Sequence, residues 1–264
     1  VTDTNAAEKL LLELGVSEPE DLDLDAIAWH AGVKVKYRLL DGCEARIVGH
    51  NDRAIVTVHD GLHERRKRFS VGHELGHWHY HRGRSFICRA DDIGSERQNT
   101  PPEEREADRY AADLLLPWFL FKPLVRQSNS PSFDLTKQLG ELFNASLTAT
   151  AIRLVDANTF PILLICHTKE GRKWFKRAKD VPERWFPKKE LDPDSYAFDV
   201  LFGNTGGAHK PVKMGAEAWF DRYDAERYEL LEQTVRISNA EVLTMLILKE
   251  EEMLSDQDFR ARWR

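Results

Sequence analysis

The sequence predicts an α+β chain on three observations: short amphipathic stretches closed by glycines near the amino end, apolar and polar residues alternating between Val33 and Val58, and a strand-rich stretch from Phe160 onwards. Its 264 residues suffice for a sizeable core and more than one domain, and a 42% hydrophobic content is ordinary for a soluble protein. A net charge of -6 argues against a global electrostatic pull towards nucleic acid or anionic membrane. The longest apolar run, Ile162 to Cys166, is far too short to cross a bilayer, so no membrane association is expected. No charged-then-apolar export signal opens the chain, which makes the cytoplasm the expected compartment.

Taken in order, Ala6 to Glu13 and Leu24 to Ala31 read as helices, followed by Gly15 and Gly32 at positions suited to a C′ residue. Val33 to Leu39 alternates apolar and basic residues, as a strand with one wet face does. Ala45 to Val48 and the β-branched Ala54 to Val58 pair through a turn over 49–53. Ser70 reads as an N-cap, with Phe69, Val71, Leu75 and Trp78 burying the flank of the helix it would start. A long polar loop from Arg82 to Thr100, with Gly83 and Gly94, has the length of a lid or binding element. Thr100-Pro101-Pro102-Glu103 reads as the next helix start, with Thr100 as cap and Glu103 completing a capping box; Pro117 ends that helix.

After the polar stretch 126–132, Leu135 to Phe143 and Leu147 to Val155 form two amphipathic helices around Asn144-Ala145-Ser146, an arrangement like a helix-turn-helix. The second helix offers only Arg153 as a cation, so packing or protein recognition is favoured over direct DNA binding. Pro161 to His167 and Lys173 to Lys176 read as a hairpin about 169–171. Ala197 to Phe202 and Val242 to Leu248 are further apolar strand candidates, before a charged tail. Trp174, Trp185 and Trp219 make this half aromatic-rich, which fits core packing better than a ligand cage.

The chemistry concentrates in Gly72-His73-Glu74-Leu75-Gly76-His77, an HExxH pattern. Residues four apart share a helix face, so His73 and His77 can present two imidazole nitrogens to one cation while Glu74 points towards solvent. Glu104-Arg105-Glu106-Ala107-Asp108 then supplies carboxylates at helical spacing, which a zinc site lacking its third protein ligand requires. Glu103 and Glu106 compete with Glu104 for that place, but neither sits one turn before Asp108. Three protein ligands leave a position for water, whose pKa zinc lowers to about 7, and Glu74 is placed to move its proton. Asp108 suits the hydrogen bond that fixes a ligating histidine's tautomer, against the alternative of an ordinary solvated carboxylate. His81 continues the histidine stripe and reads as structural, and His79 as a rim residue. Gly83 stands where an extended three-histidine motif would need its last ligand. Tyr80, His79 and Tyr110 are the candidates for stabilising an oxyanion. The basic runs Arg65-Arg66-Lys67-Arg68 and Arg172-Lys173 with Lys176-Arg177 read as solvated faces.

Residues 68–77 together with Glu104-Arg105-Glu106-Ala107-Asp108-Arg109-Tyr110-Ala111-Ala112-Asp113-Leu114-Leu115-Leu116-Pro117 resemble the two signature blocks of the ImmA/IrrE family of gluzincin-like metallopeptidases. The second block follows the family pattern ExxA[ND]x[FY]AxxLL[ML]P throughout, and the likeness extends over about residues 5–125. It implies zinc ligation by His73, His77 and Glu104, catalysis by Glu74, and a supporting place for Asp108 one turn beyond the third ligand. It also implies cleavage of a protein substrate, a repressor in known members, where cutting releases prophage, mobile-element or DNA-damage genes. The expected organisation is a zinc metallopeptidase domain over 1–127, a helix-turn-helix-like segment over 128–158, and a carboxyl-terminal α+β regulatory or recognition domain over 159–264.

Three cysteines are too few for a disulfide framework. Cys166 reads as a buried thiol. Cys43 precedes the hairpin and Cys88 lies between the two motif blocks, so either thiolate is positioned to block the metal's open position, or the pair to form a redox-sensitive bond. The expected cofactor is one Zn2+ per chain, with Mn2+ as the alternative. The competing function is a non-proteolytic helix-turn-helix or sensor regulator with a structural or silent metal site.

Overall fold

The first helices form where the sequence supplies both a cap and a stop. In the computed structural model, which describes residues 4–82, 86–88, 100–203 and 210–255, α1 (Ala6–Glu13) is capped by the Asn5 side chain, which accepts from Glu8 N at 2.9 Å. Helix α2 (Leu24–His30) is capped by Asp23, which accepts from Asp25 N and Ala26 N. Gly15 and Gly32 follow with φ of 76° and 81°, the left-handed conformation that favours glycine. The chain divides into two compact units, Val1–Leu124 with Leu139–Thr150, and Val125–Gln138 with Ala151–Arg264.

In the first unit β1 (Val33–Arg38), β2 (Ala45–His50) and β3 (Arg53–His59) build a sheet with β2 and β3 antiparallel and β1 parallel to β3. Asn51 takes φ 53° in the tight β2–β3 turn. Strand β4 (Phe86–Cys88) pairs with β2, giving the order β1-β3-β2-β4. The buried side chains Ala45, Ile47, Ala54, Val56 and Val58 alternate with the exposed Val48 and Ile55, the period-two pattern of a half-buried sheet.

Helix α3 (Glu64–Tyr80) packs on β2 and β3 and begins six residues before Ser70, the cap expected from sequence. His63 caps it instead, its Nδ1 accepting from Arg65 N, while Ser70 Oγ donates to Arg66 O inside the helix. The misreading came from the charged run, because Arg65 to Arg68 carries no apolar periodicity yet forms the first turns. Three of those cations are paired: Arg66 with Glu44 at 2.7 Å, Lys67 with Asp60 at 2.8 Å, and Arg68 Nη2 with Leu22 O at 3.1 Å.

Helix α4 (Pro102–Leu115) also starts later than the capping-box reading requires. Pro101 is the N-cap, with no side-chain cap bond, because a residue followed by proline is pushed into extended backbone and the helix cannot begin until Pro102. Next come α5 (Trp118–Arg126), α6 (Phe133–Leu142) and α7 (Leu147–Asp156), the last two matching the expected helix pair. Phe143 lies against Phe121 with ring centroids 5.7 Å apart. The 82–100 loop expected to act as a lid, and the charged tail beyond Ser255, fall outside the described residues except at 82, 86–88 and 100.

The second unit holds an antiparallel sheet. It comprises the hairpin β5 (Ile162–Thr168) and β6 (Gly171–Arg177) with β7 (Val212–Gly215), β8 (Glu229–Arg236) and β9 (Glu241–Ile247), in the order β6-β5-β9-β8-β7. Ala197 to Phe202, a strand candidate in the sequence, is helical as part of α8 (Tyr196–Phe202). Ser195 accepts from Phe198 N, and the buried Glu232 carboxylate accepts from Ala197 N at 2.6 Å, so two acceptors hold the helix start. Glu232 also accepts from Trp219 Nε1 at 2.9 Å and Thr234 Oγ1 at 3.1 Å. Strand β8 was invisible to pattern reading because its buried positions include Glu232, Gln233 and Thr234. A short helix, α9 (Glu251–Leu254), ends the described chain.

Candidate metal centre

Two helices make the site, and small residues let them approach. A Cβ on Gly76 would stand 2.7 Å from Ala107 Cα, and one on Gly72 would stand 3.2 Å from Ala111 Cα. The seam of Gly72 and Gly76 against Ala107 and Ala111 therefore brings the backbones of α3 and α4 close enough for the side chains flanking it to meet. The four-residue spacing of the small residues on both helices was the available signal.

Alongside that seam His73, Glu74 and His77 are buried, and Glu104 reaches them from α4. His73 Nε2 lies 3.0 Å from Glu104 Oε2, His77 Nε2 lies 3.4 Å from the same oxygen, and the two Nε2 atoms are 3.0 Å apart. Ligands bonded to zinc at about 2.05 Å in a tetrahedron are separated by roughly 3.3 Å, so the three atoms already stand at near-bonding separations for one ion. Asp108 Oδ1 accepts from His73 Nδ1 at 2.8 Å, which leaves Nε2 of that ring to face the cluster. The structure thus brings together His73, Glu74, His77, Glu104 and Asp108, while Glu106 lies instead 3.5 Å from His81 Nε2.

The electrostatics fit a cation site. Burial alone would lower the His73 pKa, but its hydrogen bonds to Asp108 and Glu104 hold it up at about 9. Burial would raise Glu104, yet the hydrogen bonds from His73 and His77 carry it down to about 2. A carboxylate kept ionised against two imidazoles is the donor set that a divalent ion satisfies in place of a proton. Burial pushes Glu74 up to about 7. Neither Glu74 oxygen accepts a well-formed bond from nitrogen or oxygen, although the Cys88 thiol lies close enough to offset part of that rise. His77 turns its unpartnered Nδ1 away and stacks on Phe86, with centroids 4.0 Å apart and planes 12° from parallel.

One further side chain enters the cluster. The Cys88 sulfur and single ligand atoms of His73, His77 and Glu104 all lie within 4.8 Å of one another. Cys43 is half-buried just before β2 and does not belong to that group; both are thiols. His79 and Tyr110 stack on each other and line a separate pocket of about 400 Å³ with Trp78 and Arg82. Tyr80 is half-exposed.

Residues 29–155 match the Peptidase_M78 family model, described as an IrrE N-terminal-like domain. That segment is similar to the domain of the family that the two motif blocks resemble. The IrrE N-terminal-like domain so defined contains both motif blocks, the first sheet and the helix pair that follows α5. No curated protein matches the chain. Among solved structures, a Mycobacterium tuberculosis transcriptional regulator superposes with a TM-score of 0.60 and 15% identity, over 92% of this chain and 75% of that one. At that identity the likeness concerns the fold. No described helix is long and apolar enough to cross a membrane.

Proposed function

We propose that the chain is a zinc-dependent endopeptidase that cuts one protein partner, a transcriptional repressor, in the cytoplasm. The observation that carries this reading is the meeting of His73 Nε2, His77 Nε2 and Glu104 Oε2 at 3.0–3.4 Å, beside the buried Glu74 carboxylate. His73, His77 and Glu104 hold the metal, and Asp108 orients His73 through its Nδ1 proton. Zinc, when bound, supplies Lewis acidity that acidifies water and polarises a peptide carbonyl. Glu74, poised near neutrality by burial, takes the proton of the attacking water and hands it to the departing amine. Residues 1–127 carry the catalysis, 128–158 form a recognition segment, and 159–264 a regulatory domain. The transcriptional regulator among the similar structures supports a place in gene control.

The test is incubation with candidate repressors, comparing the native chain with Glu74→Gln at equal metal loading. Cleavage by the native chain alone is expected. Cleavage by both, or by neither while metal is bound, overturns the reading. A second reading, a regulator with a closed and non-catalytic metal site, draws on the presence of Cys88 as a fourth donor.

A further inference from the structure

The peptidase reading makes no use of Cys88, yet the fold holds that residue at the metal position. Cys88 sits opposite Ala45 across the β2–β4 pairing, and its carbonyl accepts from Glu44 N at 3.0 Å, so its backbone is fixed by the sheet. Alternation along β4 sends Phe86 and Cys88 to one face and Ile87, 71% exposed, to the other. On the inner face Phe86 stacks on His77, and the Cys88 side chain, 1% exposed, joins the ligand cluster. The same sulfur neighbours Glu74, the buried carboxylate assigned as general base. It therefore neighbours both the base and the ligand cluster.

We propose that Cys88 is a resident fourth ligand that keeps the peptidase latent: on metal binding its thiol releases its proton to solvent, the thiolate sulfur takes up the metal, and the position that water and substrate require is closed. The inference rests on the zinc-peptidase reading of the site. A thiolate and an imidazole on one tetrahedral zinc stand roughly 3.6 Å apart, from Zn–S of about 2.3 Å and Zn–N of about 2.05 Å. The Cys88 sulfur lies within 4.8 Å of a ligand atom of each of His73, His77 and Glu104. A thiolate also favours zinc over manganese, so the latch and the metal preference arise from one residue. Activation then requires the sulfur to leave, displaced from the metal by a bound substrate.

The full chain loaded with Co2+ tests this by absorption spectroscopy. The native protein is expected to show a thiolate-to-cobalt charge-transfer band at one metal per chain, and Cys88→Ser and Cys88→Ala to lack it. Acetohydroxamate, which needs an open position, should bind both variants at least about tenfold more tightly than the native chain. One cobalt per chain in the native protein without the sulfur band, or equal hydroxamate affinity in all three proteins, overturns the latch and leaves the peptidase site standing. Cobalt uptake no different between native chain and His73→Ala overturns the site itself, and the latch with it. The native spectrum decides even if a variant fails to fold.

Discussion

Asp108 acts on the metal position only through His73, holding the ring by the Nδ1 bond at 2.8 Å. Asp108→Ala is therefore expected to weaken zinc binding about 10–100-fold in competition with a chelator, and Asp108→Asn, which keeps an acceptor, to lose less. Glu74→Gln removes the proton carrier while preserving shape, so cleavage should fall by about 10²–10⁴-fold with zinc affinity within a few-fold of native. The second unit offers a residue-level test by pH. His167 is wholly buried beneath β6 and β9 neighbours, its ring nitrogens lack well-formed bonds, and burial, aided by Arg172, lowers its pKa from 6.5 to about 4. The unfolded chain takes up the proton first, so the stability due to neutral His167 is complete above 6.5 and is lost as the pH falls towards 4. Urea unfolding followed at about pH 7 and about pH 5 should differ by about 2 kcal/mol from this group, and His167→Leu should flatten that slope.

At the scale of elements, the site depends on how closely α3 and α4 approach. Gly76→Ala places a methyl group 2.7 Å from the Ala107 backbone, which cannot move aside as a flexible side chain would. Thermal or urea unfolding should show a loss of about 1–3 kcal/mol, and zinc affinity should fall because Glu104 and His73 are drawn apart. Gly72→Ala meets contacts of 3.2 Å and should cost less. If both substitutions leave unfolding and metal affinity unchanged, the seam does not set the spacing of the site. Element starts show how local rules were overruled. The basic turns of α3 are held by Glu44, Asp60 and Leu22, partners from other elements, and α8 is held as a helix by Glu232 from β8.

For the molecule as a whole, a metal that binds only the folded first unit must stabilise it. Zinc at about a hundred times its dissociation constant contributes about 2.7 kcal/mol, and should raise the first unit's melting temperature by roughly 5–10 °C over the chelator-treated protein. Among the described residues, the second unit contributes none of the clustered metal-binding side chains, so its transition should stay in place. A shift of both transitions together would mean that the units unfold as one.

Spacing along the chain carried most of what was legible. A spacing of four positions from His73 to His77, and of four from Glu104 to Asp108, defines helix faces wherever those helices lie. The alternation in β1 to β3 and the glycines after α1 and α2 are likewise local, because backbone sterics and side-chain period act over a few residues. The tertiary structure set the distances at which Glu104, the carboxylate one turn before Asp108, meets the histidines. It alone brought Cys88 into the cluster through a three-residue strand whose pairing with β2 no local pattern encodes. Such contacts arise from sheet register and helix approach, which depend on residues far apart in the chain.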